Sequence, residues 1–149
     1  MNQTPSIMKS FATLTIIFLS FCAFSQQKAA FIPRPVVSFF FNTKSADARK
    51  FVSKKDTLLE VKAILQGEQK QKMPDVTFLI SEVEVSLIHN DKKIAGLVLP
   101  EGKGSFFPLT KLASSGDKYQ ITVRRIMFLT EGKYKDIGMS DVVKNYDIE

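Results

Sequence analysis

Along this 149-residue chain the apolar residues recur mainly at every second position. That is the spacing of a β-strand, whose side chains point alternately to two faces. The clearest case is Val83, Val85 and Leu87 alternating with Glu82, Glu84 and Ser86 in a strand expected over 76–88. Phe78 and Ile80 stand on the opposite parity, which places a β-bulge near Ser81. A second long strand is expected over 118–129. There Tyr119, Ile121 and Val123 face inward, and the parity then shifts across Arg124-Arg125 to Ile126 and Phe128, again as a bulge requires. Val36-Val37-Ser38-Phe39-Phe40-Phe41, bounded by Pro35 and Asn42, reads as a short strand covered on both faces. Over 57–65, Leu59, Val61, Ala63 and Leu65 alternate with Glu60, Lys62 and Ile64. Period two predicts a strand with one buried face, with helix as the rival because Leu58, Glu60, Lys62 and Ala63 are good helix formers.

Polar segments punctuate these runs. Gln26 to Pro35 is an extended lead-in, held from helix by Pro33 and Pro35. Asn42 to Asp56 is Lys-rich and expected as an exposed loop with Phe51 and Val52 dipping inward, and Gly67 to Pro74 is a polar connection. His89-Asn90-Asp91-Lys92-Lys93 predicts a hairpin loop of roughly five residues before Ile94–Leu99. After the loop Pro100–Gly104, Phe106 and Phe107 return to the core, and 109–115 has room for one or two helical turns. Thr130–Lys133 turns the chain toward a closing strand through Tyr146-Asp147-Ile148. With no long amphipathic helix, the pattern predicts an all-β fold. It is a small β-sandwich or open barrel of about 6–7 mostly antiparallel strands, in a single domain over 36–149.

The first 25 residues follow a different rule. Lys9 precedes an uncharged apolar run from Ser10 to Ala23, the arrangement of a secretory signal peptide. Ala23 and Ser25 supply the small residues of a cleavage site between Ser25 and Gln26, and Met8-Lys9-Ser10 reads as a more usual start than Met1. The run is too short for a spanning helix, which needs about 20 residues. Lipidation at Cys22 would need a small residue just before it, where Phe21 stands. Removal of 1–25 takes away the one Cys, Lys9 and four of the 13 Phe. The expected product is exported, periplasmic or extracellular, with no membrane span.

Composition narrows the chemistry. Lys and Arg outnumber Asp and Glu by 21 to 15, a formal charge of +6. The lysines are scattered through the loops without the interleaved aromatics of a nucleic-acid platform, so nucleic acid is not an expected partner. One His and one Cys cannot build a multi-His or Cys-rich metal site. No Gly-rich phosphate loop, HExxH helix or GxSxG elbow is present. No cofactor, metal or catalytic residue is expected. His89 reads as a turn residue, and Glu82 and Glu84 as a solvated strand face, with a hydrolytic carboxylate pair as the rival. Arg124 and Arg125 either clamp a partner's carboxylate or form ion pairs with Glu82 or Glu84. Phe106 and Phe107 are candidate partner-binding aromatics beside that Arg pair; most Phe of so short a chain must otherwise fill the core.

From Phe78 onward the order of features resembles the C-terminal domain of the gliding-motility protein GldM, a periplasmic component of type IX secretion. The strand Phe78–Ile88 leads into Asn90-Asp91-Lys92-Lys93. A short segment from Phe107 to Leu112 then precedes Gly116-Asp117-Lys118, a strand Tyr119–Ile126 and a turn at Gly132. Thr130-Glu131-Gly132-Lys133 replaces the family's Gly-Pro-Asp-Gly-like turn. The resemblance implies a non-enzymatic module that binds another cell-envelope protein. The alternative is a secreted inhibitor or carbohydrate-binding β-sandwich, which would display an aromatic row at Phe106, Phe107 and Tyr119.

Overall fold

The computed structural model describes residues 31–149. The expected signal peptide, Cys22 and the expected cleavage site at Ser25 and Gln26 lie outside the described residues. Ten strands and two short helices follow in the order β1 (Val36–Phe41), β2 (Lys44–Ser45), β3 (Phe51–Val52), β4 (Leu58–Ile64), α1 (Gly67–Lys72), β5 (Phe78–His89), β6 (Lys92–Pro100), β7 (Lys103–Ser105), α2 (Phe107–Thr110), β8 (Lys118–Thr130), β9 (Lys133–Asp136) and β10 (Val142–Ile148). The fold is all-β. One sheet has the order β2-β1-β4-β7, and the other β3-β10-β8-β5-β6 with β9 also on β8. Every pairing is antiparallel except β3 with β10.

The two inner faces meet in one core. Phe39 and Phe41 of β1 and Leu59 and Val61 of β4 face Val83, Val85 and Leu87 of β5, Tyr119, Ile121 and Val123 of β8, and Tyr146 and Ile148 of β10. The centre is aromatic. Phe41 meets Tyr146 edge-on at 5.1 Å and Phe106 at 5.7 Å, and Phe106 meets Tyr119 at 5.2 Å. Phe39 also reaches Tyr146, at 6.3 Å. Edge-to-face pairs contribute about 0.5–1.5 kcal/mol beyond their area, so this chain of rings joins the sheets more strongly than aliphatic contact alone would.

The two parity shifts read from the sequence are one structural feature. Register between β5 and β8 is regular up to Ile80↔Ile126 and again from Val83↔Val123, and between them Glu82 pairs with Arg125. Ser81 and Arg124 are the unpaired residues, one on each strand, so both strands change parity at the same level. The buried set moves from Ile80 to Val83 on β5 and from Ile126 to Val123 on β8, and the inner face stays apolar throughout. A bulge on one strand alone would have turned half of its partner's apolar side chains to solvent.

The hairpins are tighter than the loops expected from composition. Asn90-Asp91, with φ of 49° and 60°, is the whole connection between β5 and β6, not about five residues. Asn42-Thr43, Glu101-Gly102 and Glu131-Gly132 join β1 to β2, β6 to β7 and β8 to β9 in the same way, each with both φ positive. Two central residues at positive φ give the turn a twist that matches the right-handed twist of the flanking strands. Two other expectations change and one is met. The Lys-rich stretch 42–56 contributes β2 and β3, and its Phe51 lies 49% exposed while Val52 is buried. The polar connection after β4 contains α1. The competition over 57–65 resolves to strand, because Leu59 and Val61 can reach the core only with period two.

Candidate functional site

Arg124 and Arg125 both turn outward at the paired bulge and part company there. Arg124 Nη2 donates to Glu84 Oε2 at 2.5 Å, and its Nε lies 3.6 Å from Glu82 Oε1. Arg125 Nε donates to Asp136 Oδ2 of β9 at 3.1 Å. Glu84 is the hub of this outer-face network. Lys93 Nζ donates to its Oε1, as does the Ser86 hydroxyl at 3.2 Å. The Lys93 ammonium, followed by the Arg124 guanidinium, holds the Glu84 carboxyl down at about 2. A carboxyl so low has no proton to give near neutral pH, so Glu84 is not suited to the general-acid role of such a pair. The two arginines hold the sheet's outer face and flank together, and their charge is already met within the chain.

Phe106 is corrected as a surface candidate. It is wholly buried and stacks on Phe41 and Tyr119. Phe107, one residue on, is 47% exposed with the Lys111 ammonium 4.6 Å from its ring centre. Neighbours in a chain entering a helix point to different sides, and Pro108 sets that entry. The aromatic row Phe106, Phe107 and Tyr119 is therefore absent from the surface: Tyr119 is fully buried too. The exposed aromatics among the described residues are instead Phe31, Phe51, Phe107 and Tyr134.

His89 is more than a turn residue. It ends β5, and its Nδ1–H donates to Asp117 Oδ1 at 2.6 Å while Nε2 accepts from Asn90 Nδ2 at 3.0 Å. Asp117 is buried, and its Oδ2 accepts the Ser114 N–H at 2.7 Å. The Ser114 amide first, and then the His89 ring, lower its carboxyl below the usual range. The Asp117 main chain takes the Ile148 N–H at 2.9 Å, so one residue ties β5, the turn before β8 and the end of β10 together. Among the described residues, no three or more His, Cys, Asp or Glu side chains gather where they could hold a metal ion.

What remains unsatisfied at the surface is backbone. Among the described residues β6 is the edge of its sheet and pairs with β5 alone. Its ends are guarded in the usual way, by Lys92 and Lys93 at one and Pro100 at the other. Between them Ile94 and Val98 lie 53% and 56% exposed, so the open edge is also apolar. The alternation over 83–87 located β5, but nothing local in Ile94–Leu99 marked the strand as an edge, since edge position is decided by what fails to pair with it.

No family model matches the chain, and no solved structure matches it. GTPase Der of Natranaerobius thermophilus is 33% identical over an alignment of 78 positions that covers 48% of this chain and 18% of that protein. The chain thus spans less than a fifth of the length of the curated relative it matches. Among the described residues no helix is long and apolar enough to cross a membrane.

Proposed function

We propose that this chain is an exported, non-enzymatic protein-binding module of a bacterial cell envelope, similar to a GldM C-terminal domain, that takes an extended segment of another envelope protein along the free edge of β6. The observation that carries the reading is that edge. Alternate residues of this nine-residue strand turn their N–H and C=O groups to the open side, exposed Ile94 and Val98 lie along it, and an added strand would pair those groups and cover those side chains. Export is supported by the Lys9 and Ser10–Ala23 pattern of the sequence.

The GTPase name of the partial relative is not carried over. A phosphate-cradling lysine sits in a Gly-rich loop between a strand and a helix. The glycine-flanked lysine of this chain, Gly102-Lys103-Gly104, forms the β6–β7 turn and a short edge strand, and Lys103 faces Glu60 at 3.7 Å.

The test has two arms. In the native host the secreted form is isolated and its first residue sequenced, with Gln26 expected; a retained Lys9 segment would remove the export claim. The same protein, tagged, is then used to capture a defined envelope protein, and an Ile94→Lys, Val98→Lys variant is compared. Loss of capture at unchanged thermal stability is expected. Equal capture by the variant would rule out the β6 edge as the docking site.

A further inference from the structure

We propose that a second surface, the basic cleft along the free part of the β10 edge, binds an acidic polypeptide segment in extended conformation. This deepens the protein-binding reading by naming the partner's chemistry, and it does not depend on β6. The cleft holds about 520 Å³ and lies between residues 47–50, the start of β8 and residues 144–147 of β10. Four cations line it: Arg49, Lys50, Lys118 and Lys144. None of them has a carboxylate within 4.0 Å among the described residues, whereas Arg124, Arg125, Lys93 and Lys103 all do. Among the described residues only Asp47 and Asp147 oppose them in the cleft, and Asp47 Oδ1 already accepts the Phe39 N–H at 3.0 Å. The cleft therefore carries an excess of two positive charges, which favours an anionic ligand.

The backbone gives that ligand its shape. β3 covers only the end of β10, pairing with Asp147 and Ile148, and the Asp147 N–H donates to Lys50 O at 2.9 Å. The alternation of a strand turns the N–H and C=O of Val143 and Asn145 to that same side. β3 does not extend that far, and β8 occupies the opposite edge. An incoming strand of four or five residues could continue the line of β3 along Val142–Tyr146, spanning about 15 Å at the strand rise. Main-chain bonds would supply the register, and Arg49, Lys50, Lys118 and Lys144 would select acidic side chains along it. A compact phosphate would use the charge and leave this edge unused, so an acidic peptide fits both features and a phosphate fits one.

The experiment measures fluorescence anisotropy of a labelled Glu-Val-Glu-Val-Glu-Val peptide with the purified protein. Saturable binding that weakens with salt is expected, and a Lys-Val peptide of the same length should not bind. The Arg49→Glu, Lys144→Glu variant, changed only at exposed positions, should lose at least tenfold in affinity while its thermal unfolding stays put. N-methylation of alternate peptide amides should abolish binding by removing ladder donors. Equal binding by the double variant, equal binding by the methylated peptide, or equal displacement by polyphosphate would each overturn the proposal. The Ile94→Lys, Val98→Lys variant should bind the peptide normally. Loss of peptide binding with β6-dependent capture intact would sink this inference alone.

Discussion

His89 Nδ1 and Asp117 Oδ1 lie 2.6 Å apart, joining the end of β5 to the turn that launches β8 across 28 positions of sequence. Because Asp117 is buried, its carboxylate depends on its partners: the His89 ring on one oxygen and the Ser114 amide on the other. Asp117→Ala leaves a main-chain donor without its acceptor, so a loss of about 2–3 kcal/mol is expected, against about 1 kcal/mol for His89→Ala. Urea denaturation measures both. A loss for Asp117→Ala within 0.5 kcal/mol of zero would contradict the junction.

Phe106 and Phe107 are adjacent and should respond oppositely to truncation. Phe106→Ala removes a ring that links Phe41 of one sheet to Tyr119 of the other, and about 3–5 kcal/mol is expected. Phe107→Ala removes a half-exposed ring and should fall within about 0.5 kcal/mol of the parent. Thermal melts of the two variants decide it, since similar shifts would mean that Phe107 is packed as well.

Thr43 is a β-branched residue at φ 70°, where L side chains with branched Cβ are strained. Its neighbour Asn42 is held firmly: its side chain donates to Asp56 Oδ1 at 2.9 Å and accepts the Leu58 N–H at 3.1 Å. Thr43→Gly should therefore raise stability by about 0.5–1 kcal/mol, because relief of strain outweighs the freedom gained by the unfolded chain. A lower denaturation midpoint would show that the Thr43 side chain contributes contacts that outweigh its conformation.

Acid should weaken this protein through Glu84 and Asp117. Both carboxyls are lower in the fold than in the open chain, Glu84 at about 2 against 4.5. A lowered folded pKa means that the stabilisation is complete above the unfolded value and is lost as pH falls through the folded one. The window for Glu84 thus runs from about pH 5 down to 2. Its partners Lys93 and Arg124 are half exposed, so water screens the network and its contribution is about 1 kcal/mol. Glu84→Gln should flatten the fall of the urea midpoint between pH 5 and 3. An unchanged slope would mean that other groups set it.

Local pattern carried further for strands than for surfaces. Val83, Val85 and Leu87, or Tyr119, Ile121 and Val123, must alternate because a strand with one face inward offers them no other arrangement. The bulges at Ser81 and Arg124-Arg125 were each visible as a parity shift. That they lie opposite one another was not, since it depends on register between segments about forty residues apart. The Lys-rich stretch 42–56 reads locally as an exposed loop, and only its parallel pairing with β10 shows that Arg49 and Lys50 share a cleft with Lys118 and Lys144.

By itself the sequence determined an all-β chain, the positions of its six longer strands and most of its inward-facing residues, because alternation is a local consequence of backbone geometry. Only the tertiary structure decided that Phe106 is core while Phe107 is surface, that Arg124 and Arg125 are met by Glu84 and Asp136, and that His89 serves a buried Asp117. It also decided which strand edges stay open. Those outcomes depend on which distant segments become neighbours, and residues with the same local pattern acquire different roles according to the strand that settles beside them.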